Sequence, residues 1–178
     1  ERAVLPYLGP ARSRKDIDGA REALAAAYQA AGYQSIYVDL PEQQVTDGVV
    51  ILQVSEVRVG RLRVTGSEYS SLTELRDQVP SLREGEVPNF QQAQTELNAL
   101  NRGGQRQVMP LVRQGAMPGT MDVDLKVGDR KPWRLNASLN NDRSADTRPL
   151  RLSLAFSHDN LWQKGHSLSL SLFGAPQD

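Results

Sequence analysis

The residue types that most often carry chemistry are scarce in this chain. Cysteine is absent, and His158 and His166 are the only histidines, which excludes disulfides, thiolate metal sites and cysteine nucleophiles. Neither histidine has a second ligand at metal-site spacing. Ser157-His158-Asp159 contains the three residue types of a hydrolase triad, but a triad is a spatial constellation and adjacency along the chain does not build one. Gly103-Gly104 closes a helical pattern where a phosphate loop would open one. Asp16 and Asp18 project from different sides of a helix and read as charges on its first turn, not as a paired acid and base. Asn136-Ala137-Ser138 has the spacing of a glycosylation acceptor but falls in mid-strand. The expectation is a protein with no catalytic residues, no metal site and no cofactor.

Charge and length narrow the class further. The 178 residues carry 21 Lys and Arg against 21 Asp and Glu, whereas a nucleic-acid binder that neutralises phosphates needs a basic surplus. A KH-type reading of the helix pairs also fails, because neither inter-helix segment, 9–12 or 79–88, contains the required Gly-x-x-Gly loop. No run approaches the roughly 20 apolar residues of a membrane helix, and the first six residues lack the charged head and apolar core of a signal peptide. The chain reads as a mature or excised piece, long enough to bury one core or two small ones.

Self-similarity organises most of it. An ungapped shift of 73 residues places Ile17 and Leu24 on Phe90 and Leu97, Ile36 and Val38 on Met109 and Leu111, and Val50, Leu52 and Val54 on Val123, Leu125 and Val127. Helical and strand periodicities keep one register, as a duplication requires. In the first copy a short helix holds Val4 and Leu8. Ser13 with Asp16 then resembles a capping box, opening a helix with Ile17, Ala20, Leu24, Tyr28 and Ala31 on its apolar face and Gly32 as its stop. Residues 33–40 alternate, and residues 49–54 form a nearly continuous apolar run, as a strand covered on both faces would.

The second copy opens with a strand over residues 61–65, Leu62 and Val64 inward. Ser71 with Glu74 caps a short helix carrying Leu72, Leu75 and Val79 ahead of Pro80. Asn89 caps a second helix with Phe90, Ala93, Leu97 and Leu100 inward. Residues 105–113 and 121–127 close the unit as a hairpin, and Pro110, which cannot donate to a ladder, marks the former as an edge strand. The complete unit is strand, helix, helix, strand, strand. Its helices cover one sheet face and leave the other wet, and in the first copy the opening strand would precede residue 1.

From Pro132 onward helical signals vanish. Trp133, Leu135, Ala137 and Leu139 alternate with polar partners, as do Leu150, Leu152, Leu154 and Phe156, and residues 167–172 read Ser-Leu three times over. Segments of this length with an apolar face against a small polar face fit a transmembrane β-barrel, where lipid and a wet lumen replace core and surface. The alternative is an ordinary amphipathic antiparallel sheet. Three strands do not close a barrel, and an open edge in lipid leaves backbone groups unsatisfied, so the barrel reading implies an incomplete one. The fold class expected is therefore α+β in tandem, followed by antiparallel strands of an incomplete transmembrane β-barrel, divided at residues 1–57, 58–129 and 130–178.

This arrangement resembles the outer-membrane transporters of two-partner secretion, the TpsB family of haemolysin activators and filamentous haemagglutinin transporters. Tyr28-Gln29-Ala30-Ala31-Gly32-Tyr33, Leu40-Pro41-Glu42-Gln43-Gln44-Val45 and Asp47-Gly48-Val49-Val50 resemble the family's first POTRA domain. Residues 57–66 look like the crossing into a second POTRA. Leu139-Asn140-Asn141-Asp142 and Asp159-Asn160-Leu161 resemble the end of the first barrel strand and the first periplasmic turn. The plug helix, the linker and the late arginine-containing barrel loop of the family have no counterpart here. The resemblance implies tandem POTRA domains in the periplasm and strands in the outer membrane of a bacterial cell. It also implies a secreted exoprotein as partner, bound through the N-terminal secretion domain of an adhesin or haemolysin-like protein, with outer-membrane lipid around the strands and no nucleic acid. The runner-up is a periplasmic scaffold or outer-membrane assembly module that binds membrane-protein partners without transporting.

Edge-strand physics points to the same task. An exposed edge offers unpaired N–H and C=O groups to which an extended client adds as another strand. The candidate client-binding residues are Gln34, Ser35, Ile36, Tyr37, Val38 and Asp39 in the first unit and Gln107, Val108, Met109, Leu111 and Arg113 in the second. Specificity would come from the groove between each strand and its long helix. Tyr33 and Tyr37 are either client contacts or ordinary cross-strand packing. Arg61, Arg63, Arg102, Arg106 and Arg113 either steer an acidic client or are simply solvated.

Overall fold

The computed structural model describes residues 2–141 and 150–174. Asp142, within the motif ending the first barrel-like strand, lies outside the described residues, as does most of the expected connection over 141–149.

The first unit opens with a short 3-10 turn, Leu5–Tyr7, and the helix α1 (Arg14–Ala30). The Ser13 backbone N–H donates to Asp16 Oδ2 at 2.8 Å, and the Ser13 hydroxyl donates to the same oxygen at 2.7 Å. The hydroxyl and then the backbone N–H hold the Asp16 carboxyl below its ordinary value. At the other end Gly32 takes φ +92°, Gly32 N–H donates to Gln29 O at 2.9 Å and Tyr33 N–H to Tyr28 O at 3.0 Å. This is a Schellman stop, which gives the Tyr28, Gly32 and Tyr33 motif its physical meaning.

Strands β1 (Ile36–Asp39) and β2 (Gln53–Glu56) pair antiparallel, Val38 opposite Val54. The expected continuous strand over residues 49–54 is not formed. Val49 and Ile51 are 63% and 62% exposed, and regular pairing begins only at Gln53. A side chain does the holding there instead. Gln43 Nε2 donates to Ile51 O and Ile51 N–H donates to Gln43 Oε1, each at 2.8 Å, so one amide stands where a neighbouring strand would. Asp47 and Gly48 both take positive φ between the bridged Thr46 and Val49, the geometry of a type I′ turn.

The second unit supplies the main core. Its sheet has the order β3 (Arg58–Thr65), β5 (Thr120–Asp129), β4 (Arg106–Gln114), with β3 parallel and β4 antiparallel to β5. Helices α2 (Leu72–Asp77) and α3 (Phe90–Asn101) contribute Leu75, Ala93, Leu97 and Leu100 to a core with Val59, Leu62, Val123, Leu125 and Val127. Leu72, expected inward, is half exposed. The 3-10 turn Pro80–Leu82, not anticipated from the sequence, places Leu82 in the core instead. The opposite sheet face is not uniformly wet, since Asp124 is 6% exposed beneath Arg63 and Arg113, with Arg63 Nε 2.9 Å from Asp124 Oδ1.

The ungapped repeat needs one correction. The core-facing residue of β4 is Val108, while Met109 and Leu111 are exposed on the other face. The register matching Ile36 and Val38 to Met109 and Leu111 is thus slipped by one, and in a strand that inverts every side chain.

Strands β6 (Trp133–Asn140), β7 (Arg151–Leu161) and β8 (His166–Gly174) form a separate antiparallel meander. Leu135 pairs with Phe156 and Phe156 with Leu170; Leu154 pairs with Leu172. One apolar face therefore runs across all three strands, and Leu135, Leu139, Leu168, Leu170 and Leu172 on it are exposed. On the other face Ser138 and Ser153 hydroxyls lie 2.6 Å apart. No described helix is long and apolar enough to cross a membrane.

Candidate functional site

Backbone accounting decides which edges are open. In the first unit Val57 N–H donates to Ser35 O at 3.0 Å, so the backbone of Ser35 faces β2. The two-residue alternation of an antiparallel ladder then turns Tyr37 and Asp39 toward β2, and the backbone groups of Ile36 and Val38 toward the free edge. Their side chains do the opposite: Ile36 and Val38 are buried, Tyr37 and Asp39 exposed. Gln34 is exposed, and Ser35 is buried with its hydroxyl unpartnered.

The second unit's edges are covered in part. Along β3, Val59 N–H donates to Glu86 O at 2.9 Å, Gly85 N–H to Val59 O at 2.7 Å and Leu62 N–H to the Glu84 carboxylate at 2.8 Å. Along β4, Val108 N–H donates to Asn101 Oδ1 at 2.7 Å and Asn101 Nδ2 donates to Val108 O at 3.1 Å. Val108, expected to offer its backbone to a client, already spends both groups on the Asn101 amide. Pro110, the next outward position, has no N–H. Val112 is the remaining outward residue in the middle of the strand with both groups. Gln107, Met109, Leu111 and Arg113 turn their backbone toward β5 and their side chains to the face opposite the helices. Arg113 there pairs with Asp124.

Where β4, α3 and the end of α1 meet, a groove of about 760 Å³ opens, lined by Gln29, Gln34, Phe90, Gln91, Gln94, Thr95, Pro110 and Val112 among others. It lies between strand and long helix as expected and spans both units. Of the predicted residues only Gln34 lines it. Pro110 and Val112, within the expected edge strand, also line it, as their shared parity with Val108 in the alternation dictates. The junction is a close fit. Phe90 N–H donates to Gly32 O at 3.0 Å and Asn89 Nδ2 to Ala31 O at 3.0 Å, and a Cβ on Gly32 would stand 2.3 Å from Asn89 Oδ1. Asn89 thus caps α3, accepting from Gln92 N–H at 3.0 Å, while fastening the first unit.

A second set of bonds fastens β6–β8. Gln163, in the turn between β7 and β8, donates to Tyr69 O at 3.1 Å and accepts from Ser71 N–H at 3.1 Å. The Ser71 hydroxyl accepts from Glu74 N–H at 3.5 Å, so the reciprocal half of the expected capping box is replaced by Gln163. Gln105 and Arg134 both donate to Asp159 Oδ2, at 2.9 and 3.0 Å. Asp129 anchors the loop before α2, accepting from Glu68, Tyr69 and Ser70 N–H and the Ser67 hydroxyl at 2.7 to 3.0 Å. Burial alone would raise its pKa, but those donors outweigh it and bring it to about 2.

The enzyme-type candidates are occupied otherwise. Asp159 is held by Gln105 and Arg134, the His158 ring accepts from Asn160 N–H at 3.2 Å, and His166 packs edge-on to Trp162. Ser157 and His158 point to opposite faces of β7.

Residues 1–56 match the family model described as POTRA domain, ShlB-type. The chain is 28% identical over 154 residues to the "Outer membrane transporter CdiB-2" of Burkholderia pseudomallei, covering 86% of the chain and 26% of that protein. It is 24% identical over 156 residues to the "Outer membrane transporter CdiB" of Dickeya dadantii, covering 88% of the chain and 27% of that protein. Among solved structures, "CdiB from Escherichia coli" superposes with a TM-score of 0.68 at 22% identity, over 96% of this chain and 31% of that one. That likeness establishes the fold: POTRA architecture running into barrel strands. The chain spans about a quarter of the length of these curated relatives. The resemblance to two-partner secretion transporters read from Tyr28 to Val50 is borne out by these matches.

Proposed function

We propose that this chain is the receiving part of a protein transporter in the bacterial outer membrane: its POTRA units, in the periplasm, bind an exported partner protein in extended form and hand it to the barrel strands. The relatives named as outer membrane transporters support the transport role. The handover reading rests on one observation, the unpaired outward backbone of Ile36 and Val38. A strand added there gains main-chain bonds with any sequence, as a carrier of unfolded chains requires. The apolar face of Leu135, Leu139, Leu168, Leu170 and Leu172 suits lipid. Trp133 and Trp162, at the end nearer the POTRA unit, suit the aromatic girdle of the interface. Gln163 and Asp159 keep the receiving surface at that end of the strands.

The test is a binding titration of the purified chain, in detergent micelles, against the N-terminal secretion domain of the exoprotein encoded beside it. Saturable binding that is lost in Val38→Pro, with the fold checked by circular dichroism, is expected, because that change removes an outward donor. Absence of binding with both partners folded rejects the receiving role and favours a scaffold that holds membrane-protein partners.

A further inference from the structure

The contacts that hold the second unit against the strands each have a substitute close by. Gln163 accepts from Ser71 N–H at 3.1 Å and donates to Tyr69 O at 3.1 Å. Yet Ser71 and Glu74 have the spacing of a capping box, in which the acid three residues on accepts from the cap residue's own N–H. The first unit shows that arrangement complete, Asp16 taking the Ser13 N–H at 2.8 Å. In the second unit the Glu74 carboxylate accepts no hydrogen bond among the described residues, because Gln163 already has the N–H it would take. Asp159 is placed alike. It accepts from Gln105 of the second unit and from Arg134 of its own sheet, so it keeps a cation when Gln105 leaves. Gln163 Oε1 likewise keeps Asn160 Nδ2, at 3.2 Å.

No part of the core crosses this junction. Among the described residues every buried apolar side chain lies between Ile36 and Val127, and the covalent link is the short run Arg130-Lys131-Pro132 between β5 and β6. Trp162 and Gln163 stand at φ 54° and 62°, a conformation unfavourable for side chains of this size that persists where surrounding contacts hold it. Separation of the two parts leaves no polar group buried without a partner, so the usual penalty for breaking such contacts is absent. We infer that Ser71 N–H passes between two acceptors, Gln163 and Glu74, and that this exchange is a latch. With Gln163 the second unit is docked on the strands; with Glu74 it is released about residues 130–132, its helix cap complete. Gln163 and Glu74 are positioning residues in this scheme, and it holds whether or not the units bind a client.

Amide hydrogen exchange at Ser71, followed by NMR on the full chain in detergent micelles, tests the exchange of partners. Neither Gln163 nor Glu74 is buried, so Gln163→Ala and Glu74→Ala leave the core intact, as circular dichroism checks. Each single variant is expected to change Ser71 exchange less than about threefold, because the other acceptor takes the N–H. The two changes together are expected to raise it at least about tenfold, the worth of a hydrogen bond to a charged acceptor. Glu74→Gln in place of Glu74→Ala, which restores an acceptor, is expected to bring protection back in the Gln163→Ala background. Docking is read separately. The chain has no cysteine, so Gln94→Cys and Ser171→Cys take spin labels at defined places, and pulsed electron paramagnetic resonance gives the distances between second unit and strands. Gln163→Ala is expected to broaden that distribution and Glu74→Ala to narrow it toward the docked distance. A Ser71 amide as open in Gln163→Ala as in the double variant, or one unchanged distance distribution throughout, overturns the inference.

Discussion

The two POTRA-type units each set a capped long helix beside an antiparallel strand pair, yet they spend their backbone differently. In the second unit both sheet edges are partly covered, β3 by residues 84–86 and β4 at Val108 by Asn101, over a core with Leu75, Val79, Val123 and Leu125 fully out of solvent. In the first unit α1 has no buried residue, β1 buries only Ile36 and Val38, and its outer edge is unpaired. The larger buried core thus lies in the second unit, and the unpaired outer edge of β1 in the first. A strand that pairs with its own fold is lost to a client, and one left free adds little to folding.

The largest test of this contrast is Leu125→Ala. Leu125 is completely buried, and removing it is expected to cost about 2 to 5 kcal/mol in chemical denaturation. Ile36→Ala in the thinner first unit is expected to cost visibly less, because a site near a free edge collapses more easily. Equal losses would break the contrast.

Asp129→Asn comes next. It keeps the shape but removes a carboxylate that accepts four hydrogen bonds, and a loss of about 1 to 3 kcal/mol is expected. The folded pKa of about 2 lies below the ordinary 3.8. The stabilisation is therefore complete above about pH 4 and is lost as pH falls toward 2. Denaturation midpoints from pH 6 to pH 2 should show this component in the parent protein and not in the Asn variant.

The smallest effect on stability is expected from Asn101→Ala, about 1 kcal/mol, with a more telling consequence for association. It uncovers Val108 N–H and C=O, and concentration-dependent self-association by analytical centrifugation is the expected sign of a newly opened edge. An unchanged monomer with unchanged exchange at the Val108 amide would show that Asn101 does not guard it.

Much of this was legible in the residues because it is local. Ser13 with Asp16, Asn89, Gly32 and the 3.6-residue spacing through Leu97 are set by neighbours within a turn or two. The Ser-Leu alternation of β8 likewise states its two faces directly. What stayed hidden depends on side chains reaching distant backbone. Gln43 on Ile51, Asn101 on Val108 and Gln163 on Ser71 leave no periodic trace, and the ion pairs of Arg63 and Arg113 with Asp124 link strands whose order no single pattern states. In β4 the alternation was legible but not its sense: Pro110 and Val112 share the helix side with Val108, and Met109, Leu111 and Arg113 lie on the other face. Alternation gives two faces; only the packed core says which is inside.

Gln43 and Asn101 each use one side-chain amide to bond both main-chain groups of a residue, Ile51 and Val108, as a neighbouring strand would. Seen as heredity, this makes the boundary between closed and open edge one codon wide. A lineage can open an edge, or close one, by a single substitution that leaves the core sequence untouched, so the pattern of free and covered edges can drift far faster than the fold itself.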